Sequence, residues 1–329
     1  MKNIEKIFFS NALNLGIEHC LENDENVFFM GEDISTKGGA FGVTKGLFEK
    51  FGNKRILDMP ISENSFVGMA IGAAMNGLRP VVEIMYMDFI ALAMDQILNK
   101  ISKLPYISNG FFKLPITIRT TAGGGRFYGP DHSQSLEPLF MNIPNITIVV
   151  PSNVNDAYHL IKESINYDGP ILFIEYRKLY ELRGNIDFKD KIEFGKAKIV
   201  EKGNDLTILS YGRMLNLCQS IIKKIKDEKN IGIELIDLRF LKPLDYNTII
   251  ESVKKTGRII TVEESCKTSG IGSEVIAYIT ENIFYDLDAP PFRIAAKDMP
   301  IPFSPYIENK VLPDEEKIYL EICEYIKDI

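Results

Sequence analysis

The carboxyl group of Glu63 stands in the stretch LDMPISENSFVGMAIGAAMNG (57–77), where a run with strand character gives way to a helix of unusually small residues. The neighbouring acids and bases lie outside this apolar run, so the sequence offers it no ion-pair partner. A lone carboxyl at such a junction either caps the helix that Ser62 begins or acts on something held at the junction. Two further residues fall at comparable places: Phe89 in MDFI follows the apolar run PVVEIMY, and His132 in GPDHSQS follows PITIRTT. Taken alone, Phe89 also fits a core position and His132 a loop-ordering one. His19 and His159, the remaining histidines, fall within helical patterns that suit a packed or solvated ring.

The elements that must position these residues repeat along the chain. Apolar, β-branched runs at 26–33, 55–62, 80–86, 115–121, 146–152 and 170–176 alternate with helical patterns such as GVTKGLFEKFG, FIALAMDQILNKISKL and NVNDAYHLIKESIN. Strands alternating with helices predict parallel βαβ units, and runs this apolar predict a sheet covered on both faces. A polar stretch, 177–200, reads as a linker, and a second α/β set follows with strand runs at 206–212, 231–243, 257–265 and 292–298. The expected organisation is therefore α/β with two domains, 1–190 and 191–329. In open parallel sheets ligands bind beyond the carboxyl ends of the strands, and Glu63, Phe89 and His132 all follow such ends.

Composition narrows the class. The chain has 329 residues, 45% hydrophobic and 25% charged, as in a folded globular protein long enough for two cores. Its net charge of −7, without a basic cluster interleaved with aromatics, argues against nucleic-acid binding. The longest apolar stretch is broken by Glu83 and Asp88 and falls short of a membrane span. The first residues carry a charged helical pattern rather than a targeting segment, so a cytoplasmic protein is expected. Cys20, Cys218, Cys266 and Cys323 are widely spaced and form no CxxC, which weighs against a zinc site or a disulfide framework.

Three glycine-rich pieces, TKGGAFGVTKG (36–46), TAGGGRFYGPDHSQS (121–135) and TSGIGSE (268–274), invite a phosphate-loop reading, but none has the spacing. GGG leads to Pro130 and a loop instead of a helix N-terminus, and TSGIGSE enters a helix without the Rossmann spacing. Each is expected to be a turn or a close backbone approach. In the helix SFVGMAIGAAMNG, Gly68 and Gly72 each cost about 1 kcal/mol against alanine, so another backbone is expected to come close. Tight packing on the sheet and a subunit interface explain this equally well.

At DMPISENSFVGMAIGAAMNGLRPVVEIMYMDFIALAMDQILNKISK and GPDHSQSLEPLF the chain closely resembles the beta subunits of thiamin-diphosphate-dependent 2-oxoacid dehydrogenases, in the transketolase-like superfamily. These act in the first component of the pyruvate, branched-chain 2-oxoacid and acetoin dehydrogenase complexes. The likeness continues through GEDI, GVTKGL, VVPSNVNDA, KPLD, TVEES and KDMPIPFSP, nearly end to end. It implies a pyrimidine-binding parallel-sheet domain followed by a smaller transketolase C-terminal-like α/β domain. It also supplies Glu63 with a target: the family's glutamate contacts N1′ of the aminopyrimidine ring and favours the imino form that activates the cofactor. Phe89 matches an aromatic that packs on that ring, and Ile61 an apolar position in the same pocket. His132 matches a histidine implied in proton donation and acyl transfer to lipoamide, steps suited to a group titrating near neutrality.

The resemblance further implies a possible potassium ion on the main-chain carbonyls of Ile116, Ser164, Ile165, Tyr167 and Gly169, although NYDGP departs from the usual pattern there. The GDG motif that holds Mg²⁺ and the diphosphate is missing from this sequence. In the family it lies on a separate alpha subunit, so an α2β2 heterotetramer is expected, inactive without alpha and serving a lipoyl acyltransferase. The small-residue helix then fits an intersubunit seam. Alternatives are an acetoin dehydrogenase beta subunit, the C-terminal half of a split transketolase acting on sugar phosphates, and an assembly subunit with a decayed site.

Overall fold

The structure is a computed structural model that describes residues 6–328. It divides into two compact units, residues 1–122 with 139–194 and residues 123–138 with 195–329.

The first unit is built on parallel strands β1 (Val27–Gly31), β2 (Ile56–Asp58), β3 (Arg79–Tyr86), β4 (Thr117–Ala122), β5 (Thr147–Val149) and β6 (Ile171–Tyr176). Within this unit they are ordered β5-β6-β4-β3-β1-β2 and every pairing is parallel. Strands β4, β5 and β6 are buried at every position, as the near-continuous apolar runs require of a sheet covered on both faces. The chain passes from β1 outward to β2 and then returns to the other side of β1 to form β3. The strand order therefore reverses between β1 and β3, the place where such sheets hold ligands.

Helices α1 (Phe9–Asn23), α2 (Glu63–Met75) and α3 (Val154–Asn166) cover this sheet. Helices α1 and α3 cross closely at Gly16, where a Cβ would lie 2.5 Å from Ile161 Cγ2 and 2.8 Å from the Tyr158 carbonyl. Asn153 caps α3 by accepting the Asp156 N–H. Helix α2 turns Phe66, Val67, Ala70, Ile71 and Ala74 inward and packs against β3 and the segment that follows it. Burial of a side chain such as Phe66 contributes about 1.5–3 kcal/mol.

The second unit carries β7 (Lys198–Glu201), β8 (Leu206–Ser210), β9 (Ile233–Asp237), β10 (Ile259–Cys266) and β11 (Phe292–Ala296) in the order β11-β10-β8-β9-β7. All pairings are parallel except that of edge strand β7 with β9. Its helices are α4 (Gly212–Lys229), α5 (Tyr246–Thr256), α6 (Ile271–Ile283), α7 (Pro305–Val311) and α8 (Glu315–Tyr325). The core joins Ile208, Leu235 and Ile260 of the sheet to Leu215 and Ile222 of α4 and Ile322 of α8.

Three local expectations change. The supposed helix at 42–52 is helical only over Leu47–Phe51, because Gly42 and Gly46 adopt positive φ. The long pattern from Phe89 becomes a 3₁₀ turn (Met87–Ala93) followed by a wide π-type turn (Gln96–Ile101) instead of one α-helix. The end of the supposed linker is strand β7. Among the described residues no helix is long and apolar enough to cross a membrane.

Candidate active site

Glu63 begins α2, so its carboxyl lies at the end of the helix where free N–H groups and the macrodipole favour negative charge. It is 5% exposed. Ser62, the residue before it, makes no side-chain cap and donates from Oγ to Ser65 Oγ at 2.8 Å. Glu32, next in sequence to the left-handed Asp33 and just past β1, stands in the electrostatic reach of Glu63. Burial first, then the charges of Glu63, Asp33 and Glu83, push the Glu32 carboxyl above the usual carboxylate range. Its Oε1 is buried without a hydrogen-bond partner among the described residues. Sequence reasoning passed over Glu32, although GED immediately after a strand end was a legible signal.

Phe89 lies on the 3₁₀ turn after β3, half-buried, with its ring edge-on to Tyr86 at 5.8 Å and 83°. Tyr86 meets Phe41 in the same manner at 5.2 Å, and the Arg177 guanidinium lies over the rings of Phe41 (4.6 Å) and Tyr180 (4.7 Å). Ile61 is 85% exposed, so nothing among the described residues covers it. Two acids within electrostatic reach of each other, a half-buried aromatic and an exposed aliphatic side chain thus follow the carboxyl ends of β1, β2 and β3. Such a set fits a flat, nitrogen-bearing ring that supplies donors to the acids and apolar surface to Phe89 and Ile61.

Behind these residues lies a buried ionic cluster. Arg119 on β4 donates from Nε to Glu175 Oε1 (2.7 Å) and from Nη2 to Glu175 Oε2 (2.6 Å), a two-pronged pairing, and from Nη1 to Glu83. Tyr180 donates its hydroxyl to Glu175. Burial alone would lower the Arg119 guanidinium, but Glu175 and Glu83 outweigh it and hold the charge firmly. Burial raises Glu83, an effect that Arg119 opposes and Glu175 reinforces. Gly31 passes so close that a Cβ would lie 2.9 Å from Glu83 Cβ, and Gly39 so close that one would lie 3.0 Å from Glu83 Oε1. The cluster thus ties β3, β4 and β6 to the loop after β1. A charge within VVEIM, TIRTT and FIEY was its sequence signal.

His132 belongs to the second unit, on the segment 123–138. Its side chain is 36% exposed, with Nδ1 3.2 Å from Asp131 Oδ1. Glu63, Phe89 and Ile61 all belong to the first unit.

The five carbonyls expected around potassium are partly engaged. Ile116 O accepts from Ile171 N (2.8 Å) and Ser164 O from Thr117 Oγ1 (3.1 Å), while Arg79 Nη1 donates to Ile165 O (3.4 Å) and Tyr167 O (3.1 Å). Gly169 sits under the Tyr167 ring. Among the described residues no group of three or more His, Cys, Asp or Glu could hold a metal ion.

Helix α2 resolves the question of its glycines. A Cβ at Gly72 would meet nothing within 4 Å, and one at Gly68 only the Gln96 side chain at 3.6 Å. Packing on the sheet is therefore not what excludes bulk there. On its uncovered face Met69 is 57% and Met75 37% exposed.

Comparison with known proteins agrees with this architecture. The family described as transketolase, pyrimidine binding domain, matches residues 5–183, and transketolase, C-terminal domain, matches residues 195–318. The chain is 43% identical over 313 residues to the pyruvate dehydrogenase E1 component subunit beta of Cyanidium caldarium, covering 95% of each. It is 38% identical over 313 residues to the 2-oxoisovalerate dehydrogenase subunit beta of Bacillus subtilis (strain 168), covering 94% of this chain and 95% of that one. Among solved structures, "Split gene transketolase, inactive beta4 tetramer" superposes with a TM-score of 0.81 over 98% of each chain at 21% identity, a likeness of fold alone.

Proposed function

Because the chain belongs to the transketolase-like family of 2-oxoacid dehydrogenase E1 beta subunits, we propose that it activates thiamin diphosphate for oxidative decarboxylation of pyruvate or a related 2-oxoacid. The observation that carries this reading is Glu63: a buried carboxyl at a helix N-terminus, beside the switch point, with no side-chain partner from its own helix. When bound, the cofactor supplies a carbon nucleophile and an electron sink for loss of carbon dioxide. Glu63 would hold a proton at N1′ of the aminopyrimidine ring, Phe89 would pack on that ring, and Ile61 would close its apolar edge. Burial of Glu63 keeps bulk water from competing for the N1′ hydrogen bond.

His132 would serve the later step, proton transfer and delivery of the acyl group to a lipoyl domain, for which its exposed position and contact with Asp131 are suited. The partner would be an alpha subunit holding Mg²⁺ and the diphosphate, giving an α2β2 assembly in the cytoplasm that serves a lipoyl acyltransferase. The open face of α2, with Gly68 and Gly72, is the proposed seam. A potassium ion on the Ile116, Ser164, Ile165, Tyr167 and Gly169 carbonyls is a secondary part of the proposal, because the first four already accept hydrogen bonds within the chain. The test is to purify the chain with and without the alpha subunit and measure decarboxylation with an artificial electron acceptor. Activity should require both; robust turnover by this chain alone would overturn the shared-site reading.

A further inference from the structure

The loop that carries His132 is held in an unusual way. Gly123 (φ 89°), Gly125 (φ 82°), Phe127 (φ 63°) and Gly129 (φ 85°) alternate through left-handed backbone. Such alternation turns successive N–H groups toward one side and makes a cradle for an anion. Phe127 is the telling member, because residues with a side chain seldom adopt this conformation. The anions are two buried carboxylates of the second unit: Gly124 N donates to Glu264 Oε1 (2.7 Å), Gly125 N to Glu308 Oε1 (2.7 Å) and Phe127 N to Glu308 Oε2 (3.0 Å). Glu264 is 2% and Glu308 0% exposed. Arg213 Nη1 pairs with Glu264 Oε2 at 3.2 Å, and the same guanidinium would meet a Cβ on Gly125 at 3.0 Å. At Gly124 a side chain would strike Leu312 and Glu308 within 2.7 Å, and at Gly129 the Phe303 ring at 2.2 Å.

A cleft of about 250 Å³ lies alongside Pro130, Gln134 and Leu136, with Ser265, Cys266 and Met299 opposite. The backbone of the segment is clasped at residues 124–127, five residues before His132. The geometry points to Glu264 and Glu308 as positioning residues that fix the placement of His132. This rests on the acyl-transfer role given to His132 above, and it adds residues from β10 and α7 that touch neither cofactor nor substrate in that scheme.

The clasp needs carboxylates in particular. A glutamine at 308 keeps one acceptor oxygen and presents an NH₂ to the second N–H, so one of the two bonds is replaced by a clash of donors. Hydrogen exchange on the full chain reads the clasp directly: in Glu308→Gln, amides 124–136 should exchange about tenfold faster or more, with the rest of the second unit unchanged. Glu264→Gln serves as the second variant, should Glu308→Gln fold poorly. In the complex with the alpha subunit, Glu308→Gln should slow acylation of a free lipoyl domain roughly tenfold while decarboxylation with an artificial acceptor stays within about twofold. The double variant with His132→Ala should then be little worse than His132→Ala alone. Unchanged loop exchange, or an equal fall in both reactions with lowered Tm, would overturn the proposal. If His132→Ala leaves acylation intact, the acyl-transfer role fails instead, and loop exchange alone decides the clasp.

Discussion

Glu263 and Glu264 are neighbours on β10, both buried, and they fill two different glycine-rich loops. Successive strand residues point to opposite faces, so one carboxylate serves each side of the sheet. Glu263 accepts the N–H groups of Ile271 (2.8 Å) and Gly272 (2.9 Å) at the start of α6, and Ser265 Oγ at 2.7 Å. Glu264 accepts the Gly124 N–H in the loop leading to His132. Helix N-termini and glycine nests are ready anion sites. Here TSGIGSE and TAGGG are turned toward the chain's own glutamates, which is the physical reason they lack phosphate-loop spacing.

The first loop makes a prediction at Gly270. A Cβ there would lie 2.6 Å from Glu263 Oε1, although its backbone (φ −65°) suits any residue. Gly270→Ala should therefore cost about 1–3 kcal/mol by displacing a buried carboxylate, measurable by urea denaturation. A loss below about 0.5 kcal/mol would mean that the carboxylate moves freely, and the cap on α6 would not be specific.

In the first unit, Arg119 holds two carboxylates at once. Removing it leaves Glu83 and Glu175 buried without their counter-charge, so Arg119→Leu is expected to destabilise by about 3–5 kcal/mol. Glu83→Gln should cost much less, because Arg119 keeps its two-pronged pairing with Glu175. Thermal unfolding of the two variants should rank them in that order; the reverse ranking would show that Glu83 is the essential anion.

The same cluster gives a pH dependence with a defined sign. Burial raises the Glu83 carboxyl from its ordinary 4.5, so the folded chain binds this proton more tightly than the unfolded one. The stability it contributes is present in full below about 4.5 and is lost as pH rises through the folded value. Groups such as Asp168 and Asp298 are lowered by their hydrogen-bond partners and act in the opposite sense, losing stability as pH falls. Comparison with Glu83→Gln isolates the term: the wild-type Tm should fall relative to the variant as pH rises above about 4.5. Parallel Tm curves for the two proteins would refute it.

How far the sequence reveals this molecule depends on which atoms do the work. The strands at 80–86, 115–121 and 170–176 were plain because a parallel sheet buries both faces and leaves an apolar run. Glu63 drew notice because its isolation in such a run is itself abnormal. The start of the pattern at 42–52 misled because periodicity is blind to φ, and the positive-φ Gly42 and Gly46 break the helix that spacing suggests. Glu308 left no signal at all: its partners are backbone N–H groups more than 180 positions away, and a backbone donor has no residue identity. The wide turn at Gln96–Ile101 was equally silent.

Glu63→Gln tests the first step of the proposed reaction. The amide keeps the size of the side chain but cannot share a proton with a ring nitrogen, so turnover of the assembled enzyme should fall roughly 10²-fold or more. Helix α2 buries Phe66, Val67 and Ala70 independently of that carboxyl, so folding and association with the alpha subunit should be retained. Near-normal decarboxylation with an artificial acceptor would refute the proton role.

Gly72 separates the needs of the chain from those of the assembly. It lies inside a helix, has open space where a side chain would go, and its backbone is not left-handed. In the isolated chain Gly72→Leu should be neutral or stabilising by up to about 1 kcal/mol, because leucine loses less backbone entropy in a helix than glycine. At a seam where another helix crosses closely, the same side chain would overlap its partner. Size-exclusion chromatography of the co-expressed subunits should then show the α2β2 species lost or reduced while the chain's own Tm is unchanged or higher. Full assembly of Gly72→Leu would remove the seam from this face of α2, and a lowered Tm in the isolated chain would show that the glycine serves packing after all.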